Sequence, residues 1–534
     1  MNQELIKFFF EKGLLVDKEV LDLFNEVNDQ ESVKVIIEKI KNTTHQNVIT
    51  KTTLDQNKEK VNRVFSELPQ ENQKKLEKLK INLGLSIEIS KEVSVGMPST
   101  NRQTDKQQEE QAFSNESIVK VKERPEEIVE KIEVKHFVTY FKNRFVTMRN
   151  LLQEHPELTN LISINKISEG AQGISLIGMV RTKSITKNKN IILEIEDLTG
   201  RIKILINQNK PDIYKKAEEI TLDAVLGFKG SGNKEIFFVN EIVFPDARLP
   251  EKKKSNFEES ILFIGDLHYG SKRFLMKGFE NFIDYLGGKV PGTEEEVKKI
   301  KYLFLSGDIV TGIGNYPNQE PDLAIVDLEE QFMGLADLLR KIPERIKIII
   351  SPGNHDCVRL MEPQPILDDK YAWPLSELNN VIMVENPGRV NVGSNKDFEG
   401  FNVLIYHGFS YPFYAREIAP LIMGNAMNSP ENIMKFLLKH RHLAPTHGST
   451  QYFPLEKDPL IIEEVPDIMV SSHTHKCATS YYNNILVVST SCWEAMTPYQ
   501  EKFGNEPDHC KVPMINLKTG EIKILDFEDP GELK

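Results

Sequence analysis

From Ile261 onward the sequence repeats one pattern: a short apolar run that ends in polar residues able to carry chemistry. The runs are ILFIGD, YLFLSGD, IKIIISPGNHD, FNVLIYHG, DIMVSSHTH and NILVVSTS. Short runs rich in Ile, Val and Phe, alternating with helical segments, specify strands buried on both faces in an α/β arrangement. Ligand sites in such sheets collect at the carboxyl ends of strands, which places the chemistry of the chain at one sheet edge. The polar ends supply Asp266 and His268, Asp308, Asn354, His355 and Asp356, His407, and finally His473 and His475. On extended backbone, residues two apart point to the same side, so D-x-H and H-x-H would each offer two ligands to one place. Carboxylates, imidazoles and an amide without thiolate suit Mn²⁺, Fe or Zn²⁺ better than Ca²⁺, and the set is too large for one tetrahedral ion. Two divalent ions are expected, while His442, His447 and His509 read as structural histidines.

Upstream, the chain divides by pattern. Residues 1–41 carry apolar residues at helical spacing (Leu5, Phe8, Phe9; Val20, Leu21, Phe24; Val33, Ile36, Ile37, Ile40) and predict a small α-helical N-terminal module. Residues 42–134, dominated by Lys, Glu, Gln, Asn, Ser and Thr, predict a charged, polar linker. A connecting helix is expected over 135–163, with Phe137, Phe141, Phe145, Met148 and Leu152 on its buried face. Between 164 and 248 five β-type runs separated by turn pairs suit an OB-type β-barrel, with Lys183, Lys187 and Lys189 as candidate nucleic-acid contacts in its first turn. Residues 249–534 form the α/β domain.

At the strand ends the set D-x-H, G-D, G-N-H-D, H-G and H-x-H resembles the calcineurin-like metallophosphoesterase superfamily, a multi-motif signature covering roughly 261–478. A helical module, an OB-type barrel and then this domain, together with the stretch TSCWEAMTPYQEKFGNEPD, resemble the small-subunit family of archaeal family D DNA polymerases. The resemblance implies a phosphoesterase β-sandwich flanked by helices. It assigns one ion to Asp266, His268, Asp308 and His475, and the other to Asp308, Asn354, His407 and His473, with Asp308 bridging. His355 is left to protonate the leaving oxygen, and Asp356 to orient its ring. It also implies two Mn²⁺, with Fe, Zn²⁺ or Mg²⁺ as alternatives, and a large catalytic polymerase subunit as partner in a heterodimer acting on DNA. Other replication proteins are candidate partners of the N-terminal module. Ser472 and Thr311 depart from the common pattern, which has glycine and an acidic residue there; Ser472 would alter fit near the metals, and Thr311 would act from behind the ligands.

Composition narrows the function further. With 67 basic against 79 acidic residues the net charge is −12, so no overall cationic field draws DNA to the chain. No apolar run approaches the roughly 20 residues of a membrane span. Four cysteines without C-x-x-C, and an N-terminus without a secretory pattern, fit a cytoplasmic protein. The expectation is a proofreading 3′–5′ exonuclease subunit of a replicative DNA polymerase. A free-standing phosphodiesterase, which would need neither barrel nor linker, and a non-catalytic scaffold are the alternatives.

Overall fold

The computed structural model describes residues 12, 14–16, 48–49, 118–122 and 131–532. The chain separates into two compact units, Met1–Asp105 and Lys106–Lys534. In the first, β1 (Leu15–Val16) pairs in parallel with β2 (Val48–Ile49). The helices expected within 1–41 lie outside the described residues.

In the second unit, five strands close into a barrel: β4 (Ala171–Ile185), β5 (Ile191–Glu196), β6 (Arg201–Ile206), β7 (Val225–Gly232) and β8 (Ile236–Val243), in the order β4-β5-β6-β8-β7. Alternate residues turn inward, so Leu193, Ile195, Ile202, Ile204, Phe228 and Phe237 fill the interior. One expectation fails here. Lys183 does not reach outward to a ligand; its Nζ donates to the carbonyls of Glu218 (3.0 Å) and Ile220 (2.8 Å) at the end of the helix Pro211–Glu218. Those carbonyls lack partners within the helix, and the lysine satisfies them. Burial lowers its pKa to about 8. Lys187 and Lys189 remain exposed in the β4–β5 turn.

The remainder is a sandwich of two six-stranded sheets flanked by helices. The first sheet runs β12 (Val381–Met383), β11 (Lys347–Ser351), β10 (Ile300–Ser306), β9 (Ser260–Ile264), β18 (Lys511–Asn516) and β19 (Ile522–Asp526). The second runs β16 (Ala478–Tyr482), β17 (Ile485–Ser489), β15 (Ile468–Ser471), β14 (Phe401–Ile405), β13 (Gly388–Ser394) and β3 (Ile118–Val121). Phe263 stacks on Phe304 (centroids 5.4 Å) between the sheets, with Ile405, Val470 and Val488 beside them. The opposite faces are covered as well. Leu262, Ile264 and Leu305 meet helices Met276–Leu286 and Leu328–Leu339, while Leu404, Met469 and Val487 meet helix Pro430–His440. Burial on both faces is why these runs are apolar throughout instead of alternating.

Strand β3 corrects the linker expectation for 42–134. It pairs antiparallel with β13, Val121 opposite Val390, and Val119 and Val121 pack on the inter-sheet core while Lys120 and Lys122 face out. Four β-branched and basic residues inside a polar stretch are too short a signal to stand out by composition.

The connecting helix spans Val134–Leu152, and its buried residues are Tyr140, Arg144, Phe145, Met148 and Leu152. Arg144 is buried because a partner waits more than 300 residues away. Its Nε donates to Asp458 Oδ2 at 2.5 Å and its NH1 to the carbonyl of Pro445 at 2.7 Å. Asp458 also accepts from Tyr140 Oη (2.6 Å), and His442 Nε2 lies 2.9 Å from its Oδ2. Burial, reinforced by Arg144, lowers the His442 pKa to about 4, so the folded chain holds this ring neutral. A base whose pKa falls on folding contributes stability above its unfolded value, near 6.5, and loses it as pH drops towards 4. Between pH 7 and pH 4 the wild type should lose about 3 kcal/mol more than His442→Asn, measured as urea midpoints at each pH. Equal losses would refute the assignment.

No helix of the described residues is long and apolar enough to cross a membrane.

Candidate metal centre

Strands β9, β10 and β11 are parallel neighbours in one sheet, and β14, β15 and β17 in the other, so their carboxyl ends share an edge. Asp266, Asp308, His407 and His473 each follow their strand by two residues, and Asn354 follows β11 by three. Backbone bonds tie the loops together: Asp266 N donates to Gly307 O, His268 N to Asp308 O (both 2.9 Å), and Ser472 N to His407 O (3.0 Å).

The motif backbones are not extended. Asp266 (φ 48°), His268 (50°), Asp308 (50°), His473 (67°) and His475 (58°) all occupy the left-handed region. Each such non-glycine residue costs about 1–3 kcal/mol, and the surrounding sandwich holds them there. The left-handed bends also separate the H-x-H pair. Ligand atoms of Asp266, His268 and His475 lie within 4.8 Å of one another, those of Asp308, His407 and His473 form a second group, and those of His268, Asp308 and His355 a third that joins the two. Spacing alone would bring His473 and His475 to one place; instead they face different groups, the division that the resemblance implies.

Within the first group His268 Nε2 and His475 Nε2 are 3.2 Å apart, with Asp266 Oδ1 at 3.9 Å from the latter. In the second, His407 Nε2 is 3.2 Å from Asp308 Oδ2, 3.1 Å from Asn354 Oδ1 and 3.3 Å from His473 Nδ1. His407 Nδ1 donates to Ser306 O at 2.9 Å, which turns Nε2 towards the cluster. Gly353 is required beside it, since a Cβ there would fall on Asp308 Oδ1 and its amide.

The donors fit divalent ions. Asp266 Oδ1 is buried without a hydrogen-bond partner, an arrangement that costs free energy unless a cation completes it. Burial, and behind it the neighbouring histidines, push His268, His473 and His475 well down, keeping them neutral as ligation requires. Burial opposes the charge on Asp308, yet His407 and His355 hold its carboxyl well below the usual range.

His355 is held differently. Its backbone N donates to Asp308 Oδ1 (2.7 Å), and its Nδ1 lies 3.0 Å from the carbonyl of Thr311. A carbonyl can only accept, so this contact favours a proton on Nδ1 with Nε2 left for chemistry, while the Asn315 NH₂ beside it favours the opposite tautomer. Asn315 Nδ2 donates to the same carbonyl (3.0 Å) and lies 3.1 Å from Nδ1, packing the ring in place. Asp356 does not orient this ring. Its carboxylate accepts from Val310 N (3.0 Å) and Gly353 N (2.7 Å), bracing the two loops, and burial followed by Asp308 pushes it up to about 7. Thr311 does act from behind the ligands, through its backbone. Ser472 points away from the donors: its hydroxyl meets Ser306 and lies 3.0 Å from Thr490 Oγ1, in the space that Gly265 leaves open. Asn315 and Gln500, whose Nε2 is 2.9 Å from His475 Nδ1, carry no signal in a single sequence beyond their place in turn-rich stretches.

The family model for calcineurin-like phosphoesterases matches residues 259–477, a domain type that implies divalent metal ions. Proteins named DNA polymerase II small subunit are similar over about three quarters of the chain. That of Pyrococcus abyssi is 37% identical over 407 residues, covering 74% of this chain and 64% of the relative. That of Methanothermobacter thermautotrophicus is 34% identical over 399 residues, covering 74% and 80%. That of Methanocaldococcus jannaschii is 36% identical over 398 residues, covering 73% and 65%. The match thus spans a little under two thirds of the Pyrococcus and Methanocaldococcus relatives.

Proposed function

This chain belongs to the family of archaeal DNA polymerase II small subunits, and from that premise we propose that it is a 3′–5′ exonuclease acting on DNA. It would proofread for a large catalytic subunit with which it forms a heterodimer in the cytoplasm. The observation that carries the proposal is Asp308, whose carboxylate groups with His407 and His473 and also with His268 and His355, so that one carboxylate can serve two ions. Asp266, His268, Asp308 and His475 would hold one divalent ion, and Asp308, Asn354, His407 and His473 the other; Mn²⁺ suits these N and O donors. Bound there, the ions supply Lewis-acid polarisation of a phosphodiester and activation of water.

The protein's own part is placement and proton transfer. Asp308 would serve both ions, and the left-handed loops fix the donors before substrate arrives. His355, with Nδ1–H on Thr311, presents Nε2 to the phosphodiester and donates a proton to the departing 3′ oxygen once protonated. We read the closed barrel, in the order β4-β5-β6-β8-β7 with a helix between β6 and β7, as OB-type; Lys187 and Lys189 are its remaining phosphate contacts.

His355→Ala should lower cleavage of a 5′-labelled primer by about 10²–10⁴-fold while Mn²⁺ affinity by calorimetry stays at the wild-type value. A parallel loss of metal would make His355 a ligand and remove its proton-transfer role.

A further inference from the structure

Gln500 is the third residue of the helix Pro498–Phe503 and forms a capping box with Thr497. Thr497 Oγ1 accepts from Gln500 N (3.3 Å), and Gln500 Oε1 accepts from Thr497 N (2.9 Å). With Oε1 engaged, the side-chain NH₂ faces His475, its Nε2 lying 2.9 Å from the ring Nδ1. An amide NH₂ can only donate, so it makes Nδ1 the acceptor and leaves the ring proton on Nε2. Yet Nε2 is the atom turned to His268 Nε2 and Asp266 Oδ1. Ligation through Nε2 needs the reverse, with the lone pair on Nε2 and an N–H on Nδ1 that finds an acceptor. Gln500 can offer that acceptor only by rotating its amide, which sets its NH₂ against Thr497 N–H and opens the cap. The segment is fastened to the site on both sides of this helix, Trp493 N donating to Asp266 O (3.0 Å) and Asp508 N to His475 O (2.8 Å).

We infer that Gln500 is a positioning residue that weakens metal uptake by the Asp266, His268 and His475 group, because the amide orientation that caps the helix opposes the His475 tautomer that ligation needs. The inference rests on the proposed assignment of His475 as a ligand. Glutamate at this position resolves the conflict, since its carboxylate accepts from Thr497 N–H and from His475 Nδ1–H together.

The test uses the full chain labelled with ¹⁵N-histidine and Mn²⁺ alone as probe. In long-range ¹H–¹⁵N spectra of metal-free protein, with His475 assigned by its loss in His475→Gln, the wild type should show the Nε2–H tautomer and Gln500→Glu the Nδ1–H tautomer. In calorimetric titrations Gln500→Glu should bind one of two Mn²⁺ ions about 10- to 100-fold more tightly. Gln500→Asp, with the same charge on a shorter arm, should stay near the wild type. The same tautomer in wild type and Gln500→Glu, an unchanged isotherm, or equal tightening by Gln500→Asp would overturn the inference. Wild type that takes up no Mn²⁺ defeats the ligand assignment and the inference together. Protein that binds two Mn²⁺ without cutting DNA defeats only the nuclease proposal.

Discussion

Asp308→Asn is expected to reduce metal-dependent DNA cleavage by at least about 10³-fold while the fold persists, because in the proposed two-ion site Asp308 would bridge the ions and support several kcal/mol of charge stabilisation. The wild-type carboxylate accepts from His355 N on Oδ1 and faces His407 Nε2 with Oδ2. An asparagine keeps a single oxygen. If that oxygen stays on His355 N, the amide NH₂ faces the ring nitrogen that should be shared with an ion. Both ligand groups then lose a donor, so calorimetry should show both Mn²⁺ ions weakened. His407→Ala, by contrast, should weaken one. Loss of a single ion in Asp308→Asn would show that Asp308 is not shared.

Asp458→Ala should destabilise the chain by about 3–5 kcal/mol, because it strands the Arg144 guanidinium in a buried site without its counter-charge. Arg144 and Asp458 are 1% and 0% exposed at their side chains, so solvent does not relieve the loss. Since Arg144 and Tyr140 lie on the helix Val134–Leu152, the damage should begin there, with faster proteolysis of that helix before global unfolding. Arg144→Leu combined with Asp458→Leu, which removes both charges, should cost much less. Equal destabilisation by the single and double substitutions, measured as denaturant midpoints at pH 7.5, would show that shape and not charge pairing holds the helix.

The contrast between these two sites explains what a lone sequence reveals. The candidate ligands were legible because each apolar run ends where a parallel strand must end, and chemistry-bearing residues stand at five of the six such ends. How they meet was not. Alternation along an extended strand would send His473 and His475 to one place, whereas five left-handed residues split them between two groups. Asp356 read as the partner of His355 because it is its chain neighbour. Backbone amides of two loops claim its carboxylate instead, and the partner that orients His355 is a carbonyl, which no side-chain pattern encodes. The same limit hid Arg144. Its helical stripe predicted Phe137 and Phe141 at the core, where both pack half-buried, but nothing in the stripe marked Arg144 as buried, since Asp458 is unremarkable until the fold brings it near. Lys183 looked like a surface cation, and only the end of a helix packed beside it reveals where its ammonium goes.

These donors are proposed to form a working nuclease centre. The direct test incubates the full chain with Mn²⁺ and a primer-template carrying a mismatched 3′ end and a label at the primer 5′ end, and resolves the products on a gel. Stepwise shortening from the 3′ end is expected, and Asp308→Asn and His355→Ala should both lose it. An uncut primer, with the chain alone and together with the proposed large subunit, while two Mn²⁺ ions are bound, would contradict the proposal and leave the domain a scaffold.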